Sequence, residues 1–289
     1  LQVQALGLGG QVERGEATEF ALGTADRSER FQLPQRLYGR ELDVAALLDA
    51  FGRVAASGHP ELVLVAGYSG IGKSSLVAEL HRPIVERRGY FIAGKFDQYR
   101  RGVPYATFAQ AFQSLVQQLL AESPERVEAW RARILEAVGG HGQLLVDLIP
   151  HLALVIGPQP AVPELPPEQA QHRLQRVLLR FVTAFPAPEH PVALFLDDLQ
   201  WVDGASLQLL TQLCTHVDTR HLLLIGAYRD NEVTSAHPLL SMLDELRQHA
   251  LRIQSIVLSP LTPGHVAEIV AAALDADVAD AAPLGDLVY

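Results

Sequence analysis

"VAGYSGIGKSSL" (65–76) is the stretch that decides the fold. A run of small apolar residues ends at Gly67, and a glycine-rich turn leads to Lys73 and Ser74. The spacing G-x-x-x-x-G-K-[S/T] is typical of a loop that wraps a phosphate with inward-pointing backbone N–H groups. Lys73 would supply a point charge to the terminal phosphates, and Ser74 a hydroxyl to Mg²⁺. The stretch predicts nucleotide binding, and a chance match in a glycine-rich turn is the alternative.

Composition indicates a globular chain that does not act mainly on nucleic acid. The 289 residues are 48% hydrophobic and 19% charged, which is enough apolar material for a core. The net charge of -10 argues against direct nucleic-acid binding, because proteins of that class are usually basic. The single cysteine fits a reducing compartment. With no signal peptide and no apolar run near the roughly 20 residues of a membrane span, we expect a cytoplasmic protein.

Strands and helices alternate along the chain. The predicted strands are "ELVLVAG" (61–67), "YFIAGKF" (90–96), "PVALFLDD" (191–198), "HLLLIGAYRD" (221–230) and "RIQSIVLSPL" (252–261). Helical spacing predicts helices between them, including one over 74–89 that Pro83 disturbs in its middle. Further helices are predicted at about 105–121, 124–138 and 141–149. This alternation favours a mostly parallel sheet with helices on both faces, which binds ligands at the carboxyl ends of its strands.

Two of the later strands end in polar residues. "VALFLDD" (192–198) presents Asp197, which would hold Mg²⁺ mostly through water, and Asp198, which would orient or deprotonate an attacking water. "LLLIGAYRD" (222–230) carries Arg229 where a guanidinium could reach a terminal phosphate. The alternatives are a solvated turn with a helix cap for the acids and a surface arginine for Arg229.

Other polar residues are weaker candidates. Arg40 in "LYGRE" precedes the first helix and either stabilises local structure or lies beside the base. "KFDQYRRGVPY" (95–105) carries Lys95, Arg100 and Arg101. We interpret it as a solvated charged loop, with phosphate sensing or partner binding as the alternatives. The eleven histidines show no metal-ligand spacing, so Mg²⁺ is the one metal we predict.

Taken together, these motifs resemble the signal-transduction ATPases with numerous domains (the STAND class), a branch of the AAA-related P-loop ATPases. More closely, "FQLPQRLYGRE" (31–41), "GKFDQYRRGVPYATF" (94–108), "LFLDDLQWVDGASLQLL" (194–210) and "GAYRDNEVTSAHPL" (226–239) resemble the ATPase module of large bacterial hybrid kinases. In those proteins a serine/threonine-kinase-like domain precedes the ATPase, and a helical repeat region, a GAF sensor and a histidine kinase follow. The resemblance covers roughly residues 15 to 275.

The resemblance implies a fold, ligands and partners. The fold is an α/β P-loop NTPase of the AAA-like type, with a parallel five-stranded sheet in the order 5-1-4-3-2. The ligands are ATP and Mg²⁺, and the partners are neighbouring kinase, helical-repeat and sensor domains of the same polypeptide. Nucleotide-dependent self-association is also implied. Residues 1–36 are expected to be a linker from the kinase-like domain, 37–261 the ATPase domain, and 262–289 the start of a truncated helical domain.

Matched positions in the family's motifs also imply roles for particular residues. Gly39 and Arg40 lie in the adenine-side motif, and Pro260 corresponds to a proline near the base. Lys73, Asp197, Asp198 and Arg229 are the expected catalytic residues, and Ser74 and Asp197 the Mg²⁺ residues. The full set of expected nucleotide contacts is Gly39, Arg40, Gly67, Tyr68, Ser69, Gly70, Ile71, Gly72, Lys73, Ser74, Ser75 and Pro260.

Asp198 departs from the pattern of many AAA-type ATPases, which carry glutamate at this position. Aspartate is one methylene shorter, and poorer water activation suits a slow switch better than a motor. We therefore favour a signalling ATPase whose bound nucleotide biases the docking of neighbouring domains. The alternatives are the ATPase core of a STAND-type transcriptional activator with a DNA-binding domain outside this chain, a small-molecule or polynucleotide kinase, and a non-catalytic nucleotide-binding scaffold.

Overall fold

The computed structural model describes residues 36–100, 103–249 and 251–288, without the side chains of Arg100 and Val288. The predicted linker up to residue 35 and the candidate Arg101 lie outside the described residues. The chain divides into two compact units, of which the larger is Arg40–Pro260. Among the described residues, the smaller unit contains 36–39 and 261–288. The proposed domain boundaries at 37–261 and 262–289 stay predictions.

A five-stranded parallel sheet forms the centre of the larger unit. Its strands are β1 (Glu61–Ala66), β2 (Tyr90–Lys95), β3 (Val192–Asp197), β4 (Leu222–Tyr228) and β5 (Arg252–Val257). Their order is β2-β3-β4-β1-β5, which confirms the 5-1-4-3-2 order that the resemblance implied. Every residue of β1 is buried, as expected for a central strand covered on both faces. β5, at one edge, leaves half of its residues exposed.

Ten helices accompany the sheet in the described part of this unit. They are α1 (Glu41–Ser57), α2 (Lys73–Ala78), α3 (His81–Glu86), α4 (Ala106–Leu120), α5 (Pro124–Val138), α6 (Gly142–Leu148), α7 (Ala153–Ile156), α8 (Pro167–Thr183), α9 (Gly204–Thr215) and α10 (Pro238–Leu246). Helices α4, α5 and α6 confirm the three predicted at about 105–121, 124–138 and 141–149. Phe112 of α4, Trp130 of α5 and Phe181 of α8 form an aromatic cluster with Phe185, with ring centroids 4.9 to 5.8 Å apart.

The helix predicted over 74–89 is disturbed near its middle, as expected, but the disturbance is a complete break that divides it into α2 and α3. Glu79 N and Leu80 N donate to carbonyls three residues back, which tightens the last turn of α2. In a continuous helix, the Pro83 ring would clash with the carbonyl of Glu79, four residues earlier. Pro83 instead lies in the first turn of α3, where its missing N–H would have no intrahelical partner.

The smaller unit contains α11 (Pro263–Leu274) and α12 (Val278–Val288). Thr262 caps α11, because its hydroxyl accepts from His265 N while the His265 ring accepts from Thr262 N. The two helices pack closely, since a Cβ placed on Gly285 would lie 3.0 Å from the Ala267 Cα. Within the described parts of the chain, no helix combines the length and apolar character needed to cross a bilayer.

Candidate functional site

A glycine loop joins β1 to α2 at the carboxyl edge of the sheet. Gly67, Gly70 and Gly72 have φ angles of 148°, 79° and 102°, a region that side chains with a Cβ rarely adopt. At Gly67 a Cβ would also lie 3.1 Å from the carbonyl oxygen of Leu258. Leu258 N donates to Ala66 O at 2.9 Å, which holds this segment against the end of β1. Backbone conformation therefore explains all three glycines of the motif, and close approach is a second reason at Gly67 alone.

The Lys73 side chain folds back onto this loop. Its Nζ donates to Gly67 O at 2.7 Å and to Tyr68 O at 2.8 Å. The residue is only 7% exposed, and this burial lowers the pKa of its ammonium group. Asp197, Asp198 and Arg229 are close enough to influence that pKa as well. The lysine is thus held at the loop that its sequence motif predicts.

Ser74 and Asp197 meet across the edge of the sheet. The Ser74 hydroxyl donates to Asp197 Oδ2 at 3.3 Å, although the residues are 123 positions apart in the chain. The other oxygen, Oδ1, accepts from Asp198 N at 2.9 Å, which orients the carboxylate. A hydroxyl and a carboxylate side by side form the hard oxygen set that Mg²⁺ prefers, so these residues fit that ion.

Asp198 is buried and held from three sides. It adopts a left-handed conformation with φ of 55° and is 7% exposed. Its Oδ1 accepts from Gln200 Nε2 at 2.9 Å and lies 3.6 Å from Arg229 Nε, while Oδ2 lies 3.1 Å from Lys95 Nζ. Desolvation alone would raise the pKa of this carboxyl. The Gln200 hydrogen bond and the two cations outweigh it, so the pKa lies below its ordinary value.

Arg229, at the end of β4, joins this cluster from the neighbouring strand. Its Nη1 donates to Glu232 Oε1 at 2.7 Å, and Glu232 raises the pKa of the guanidinium. Its backbone N–H donates to Gln200 Oε1 at 3.2 Å. The guanidinium therefore lies between Glu232 and Asp198. The structure brings together the five predicted residues Lys73, Ser74, Asp197, Asp198 and Arg229, and their roles stay predictions.

The Lys95 side chain is 63% exposed, as expected for a solvated charged loop, but it also contacts the two acids. It is the last residue of β2 and lies in register with Asp197 on β3, where it forms ion pairs with Asp197 and Asp198. The hydrogen bond to Asp198 raises the pKa of its ammonium group. The implied sheet order already made β2 the neighbour of β3, and the register of the two strands is the signal that was missing. Among the other described residues of this loop, Tyr99 is 92% exposed, as expected, whereas Phe96 and Tyr105 are buried.

Sequence reasoning missed Gln200 and Glu232 entirely. Gln200 is 2% exposed and contacts both Asp198 and Arg229. Its position two residues after Asp198 was the one available hint. A turn residue with an amide side chain is ordinarily solvated, and nothing in its spacing indicates burial.

Arg40 supports the glycine loop from the side of β5. Its Nη2 donates to Ser259 O at 2.6 Å and to Ile71 O at 3.4 Å, and the residue is 7% exposed. These hydrogen bonds show the first of the two roles considered for Arg40, which is to stabilise local structure. Pro260 directly follows Ser259, and Gly39 belongs to the smaller unit. Contacts of Gly39, Arg40 and Pro260 with a base stay predictions.

A cavity of about 450 Å³ opens beside Asp198, between the end of β2 and α4. Polar groups from Lys95, Thr107, Gln110 and Arg229 line it together with the Trp201 ring. It provides space for solvent next to the carboxylate.

The AAA ATPase domain family matches residues 36–225, which include the glycine loop, both acids and most of β4. This chain belongs to the AAA ATPase domain family. The crystal structure of Cdc6p from Pyrobaculum aerophilum aligns with this AAA ATPase domain at a TM-score of 0.51 and 15% identity, over 84% of this chain and 51% of that one. That likeness shows the fold alone, which is that of a P-loop NTPase.

Two relatives of this AAA ATPase domain are histidine kinases. Hybrid signal transduction histidine kinase G of Dictyostelium discoideum is 32% identical over 198 residues, which cover 68% of this chain and 6% of that protein. Histidine protein kinase 1 of Candida albicans is 24% identical over 166 residues, covering 52% of this chain and 7% of that protein. The chain thus spans a small part of these much longer proteins.

Proposed function

We propose that this AAA ATPase domain binds Mg-ATP at the glycine loop, hydrolyses it slowly and acts as a nucleotide-dependent switch in a multidomain signalling kinase. The observation that carries the proposal is the contact between Ser74 Oγ and Asp197 Oδ2 at 3.3 Å, beside the buried Lys73. The ends of β1 and β3 and the glycine loop bring together there the donors and acceptors that a metal-bound triphosphate requires.

Each residue has a distinct proposed role. Lys73 exchanges its carbonyl partners for terminal phosphate oxygens, and Ser74 and Asp197 hold the magnesium ion. When bound, that ion neutralises developing negative charge on the phosphates. Asp198 orients a water from the neighbouring cavity, and Arg229 senses the terminal phosphate. The outer contacts of the nucleotide include the predicted Gly39, Arg40 and Pro260.

The surroundings of Asp198 support slow turnover. Gln200 occupies one carboxylate oxygen and Lys95 the other, so a water must compete with two partners. The lowered pKa also makes the carboxylate a weaker base, because proton-transfer catalysis improves as the pKa approaches the working pH. Both effects favour a long-lived bound state, which suits a switch.

The signalling context rests on the relatives and on the sequence resemblance. Histidine kinases match most of this domain, and we infer a parent protein of the bacterial hybrid-kinase type within the STAND class. Residues 1–36 would join a preceding kinase-like domain, and 262–289 would begin a helical one. We place the protein in the cytoplasm, with neighbouring domains rather than nucleic acid as its partners. A transcriptional activator with an external DNA-binding domain stays the alternative, and the kinase relatives favour the first proposal.

Ser74→Ala is expected to remove most of the contribution of Mg²⁺ to ATP affinity. Affinity in the presence of Mg²⁺ should fall by about 10-fold, equivalent to about 1.4 kcal/mol, because one oxygen ligand is lost. Affinity measured in a chelator should stay unchanged. Titration calorimetry under both conditions provides the measurement. Ser114→Ala, in α4, is the matched control, since its hydroxyl donates to the Ala111 carbonyl away from the loop. If Mg²⁺ raised the ATP affinity of Ser74→Ala as much as that of the wild type, the proposed metal site would be contradicted.

Self-association is expected to follow the nucleotide state. Light scattering should report at least the mass of a dimer with a non-hydrolysable ATP analogue and a smaller mass with ADP. Lys73→Ala should show the smaller mass in both cases, because it lacks the phosphate contact that distinguishes the two states. Equal masses for the wild-type chain in the two nucleotides would refute this part of the proposal.

A further inference from the structure

We infer that Gln200 is a positioning residue that holds the Asp198 carboxylate and the Arg229 main chain in a fixed relation, and that His237 locks Gln200 in place. The inference rests on the proposed ATP hydrolysis, because it assigns these residues to the support of the acid that would act on water. Both residues lie within stretches that carry the family resemblance, 194–210 and 226–239, but the motifs gave neither of them a role.

Gln200 lies in a short turn of 3₁₀ helix, Leu199–Trp201, directly after the two acids. It is 2% exposed, and its side chain bridges two strands of the sheet. Nε2 donates to Asp198 Oδ1 at 2.9 Å, and Oε1 accepts from Arg229 N at 3.2 Å. One amide thus joins the proposed base, after β3, to the proposed phosphate sensor, after β4.

The chemistry of the partners permits only one orientation of this amide. The Arg229 N–H can only donate, so the Gln200 oxygen must face it. The ionised Asp198 carboxylate can only accept, so the NH₂ group must face that side. This arrangement commits Oδ1 of Asp198 to Gln200. Oδ2 pairs with the exposed Lys95 side chain, and it is the oxygen at which a water can compete with that partner.

His237 holds the main chain of the same residue from α10. Its Nδ1 accepts from Leu239 N at 3.1 Å, at the start of that helix. Nδ1 therefore carries no proton, and Nε2 is the donor to Gln200 O at 3.1 Å. The side chain of Gln200 is thus fixed by β3 and β4, and its backbone by α10. Because hydrogen bonds hold both its side chain and its backbone, the buried Gln200 restricts the positions that the Asp198 carboxylate can adopt.

The test separates positioning from binding. Gln200→Glu keeps the acceptor for Arg229 N but loses the donor to Asp198, and Gln200→Met removes both in a similar volume. In each, kcat for ATP hydrolysis is expected to fall by about 10- to 100-fold, because small misplacements of a catalytic group have effects of that size. The dissociation constant of Mg-ATP should change by less than about 2-fold. Gln208→Glu, at an exposed position on α9, is the control for the charge change.

A double variant distinguishes action through Asp198 from general damage. In an Asp198→Asn background, Gln200→Met should cause no further loss of kcat, because the group it positions is already disabled. His237→Asn supplies a milder variant, since asparagine still caps α10 but is too short to reach Gln200 O. It should lower kcat with little effect on nucleotide affinity.

The possible outcomes separate the two proposals. Wild-type rates in both Gln200 variants, or losses that multiply in the double variant, would overturn the positioning role while leaving ATP hydrolysis intact. A fall in nucleotide affinity as large as the fall in kcat would also overturn it. Absence of hydrolysis by the wild-type chain would overturn the proposed function and this inference together. A kcat loss at constant affinity that disappears in the Asp198→Asn background is the supporting result.

Discussion

Lys73→Ala is expected to weaken Mg-ATP binding by about 100-fold while the chain stays folded. The lost interaction is that of a largely desolvated ammonium with phosphate oxygens, which is worth about 3 kcal/mol when one partner is removed. Lys73 is 7% exposed, so water replaces its charge poorly. Its partners in the structure, Gly67 O and Tyr68 O, belong to the loop rather than to the hydrophobic core. Titration calorimetry with ATP and Mg²⁺ measures the effect.

Two controls distinguish a specific effect of Lys73 from a general effect of charge or from unfolding. Arg82→Ala removes the same charge from a side chain that is 89% exposed on α3, and should leave the affinity unchanged. Thermal unfolding of Lys73→Ala, followed by circular dichroism, should remain a single cooperative transition close to that of the wild type. Wild-type affinity in Lys73→Ala would rule out the assignment of the loop as the nucleotide site.

Asp198→Asn is expected to reduce single-turnover ATP hydrolysis by about 100-fold or more, which is the usual contribution of a positioned acid or base. Asparagine can still accept from Gln200 through its oxygen, but its amide cannot take a proton from water. Its NH₂ group would also face the Lys95 ammonium in place of a carboxylate oxygen. Nucleotide affinity should change only a few-fold, since Lys73, Ser74 and Asp197 remain. Release of radiolabelled phosphate from a stoichiometric complex provides the measurement.

The comparison variant for this change is Asp218→Asn. Its side chain is 77% exposed, after α9 and away from the acids, and the substitution makes the same change in charge. It should hydrolyse ATP at the wild-type rate. Turnover of Asp198→Asn equal to that of the wild type would refute the role given to this carboxylate, while a parallel loss of binding would assign it to the binding of nucleotide instead.

The features predicted best are those with a local cause. The glycine loop is recognisable because its backbone needs three residues with positive φ within six positions, next to a lysine and a serine. The strands could be predicted equally well, since apolar runs that end in polar residues indicate buried parallel strands. The carboxyl ends of such strands lie together at one edge of the sheet. Helices α4 to α6 follow from their apolar spacing within one or two residues. The local pattern predicted a disturbance of the 74–89 helix by Pro83 but not the complete break at 79–80, in the turn before the proline.

The features that escaped prediction depend on which strands and turns become neighbours. The resemblance already implied β2 beside β3, but Lys95 looked like one cation of a charged loop until the strand register set it against Asp197. Gln200 had no visible role until the turn after β3 packed against the end of β4. In both cases the partners lie far apart in the chain, and their contact is set by sheet order and side-chain direction.

The sequence by itself determined the α/β class, the positions of the strands and the phosphate-type loop, because each follows from spacing and backbone conformation within a short segment. The tertiary structure alone decided how the acids are held. The Asp198 carboxylate is flanked by Lys95 from β2 and Arg229 from β4, and is hydrogen-bonded by a buried Gln200. The pKa and orientation of a carboxylate depend on the charges and dipoles within a few ångströms of it, and only the folded chain brings those groups together.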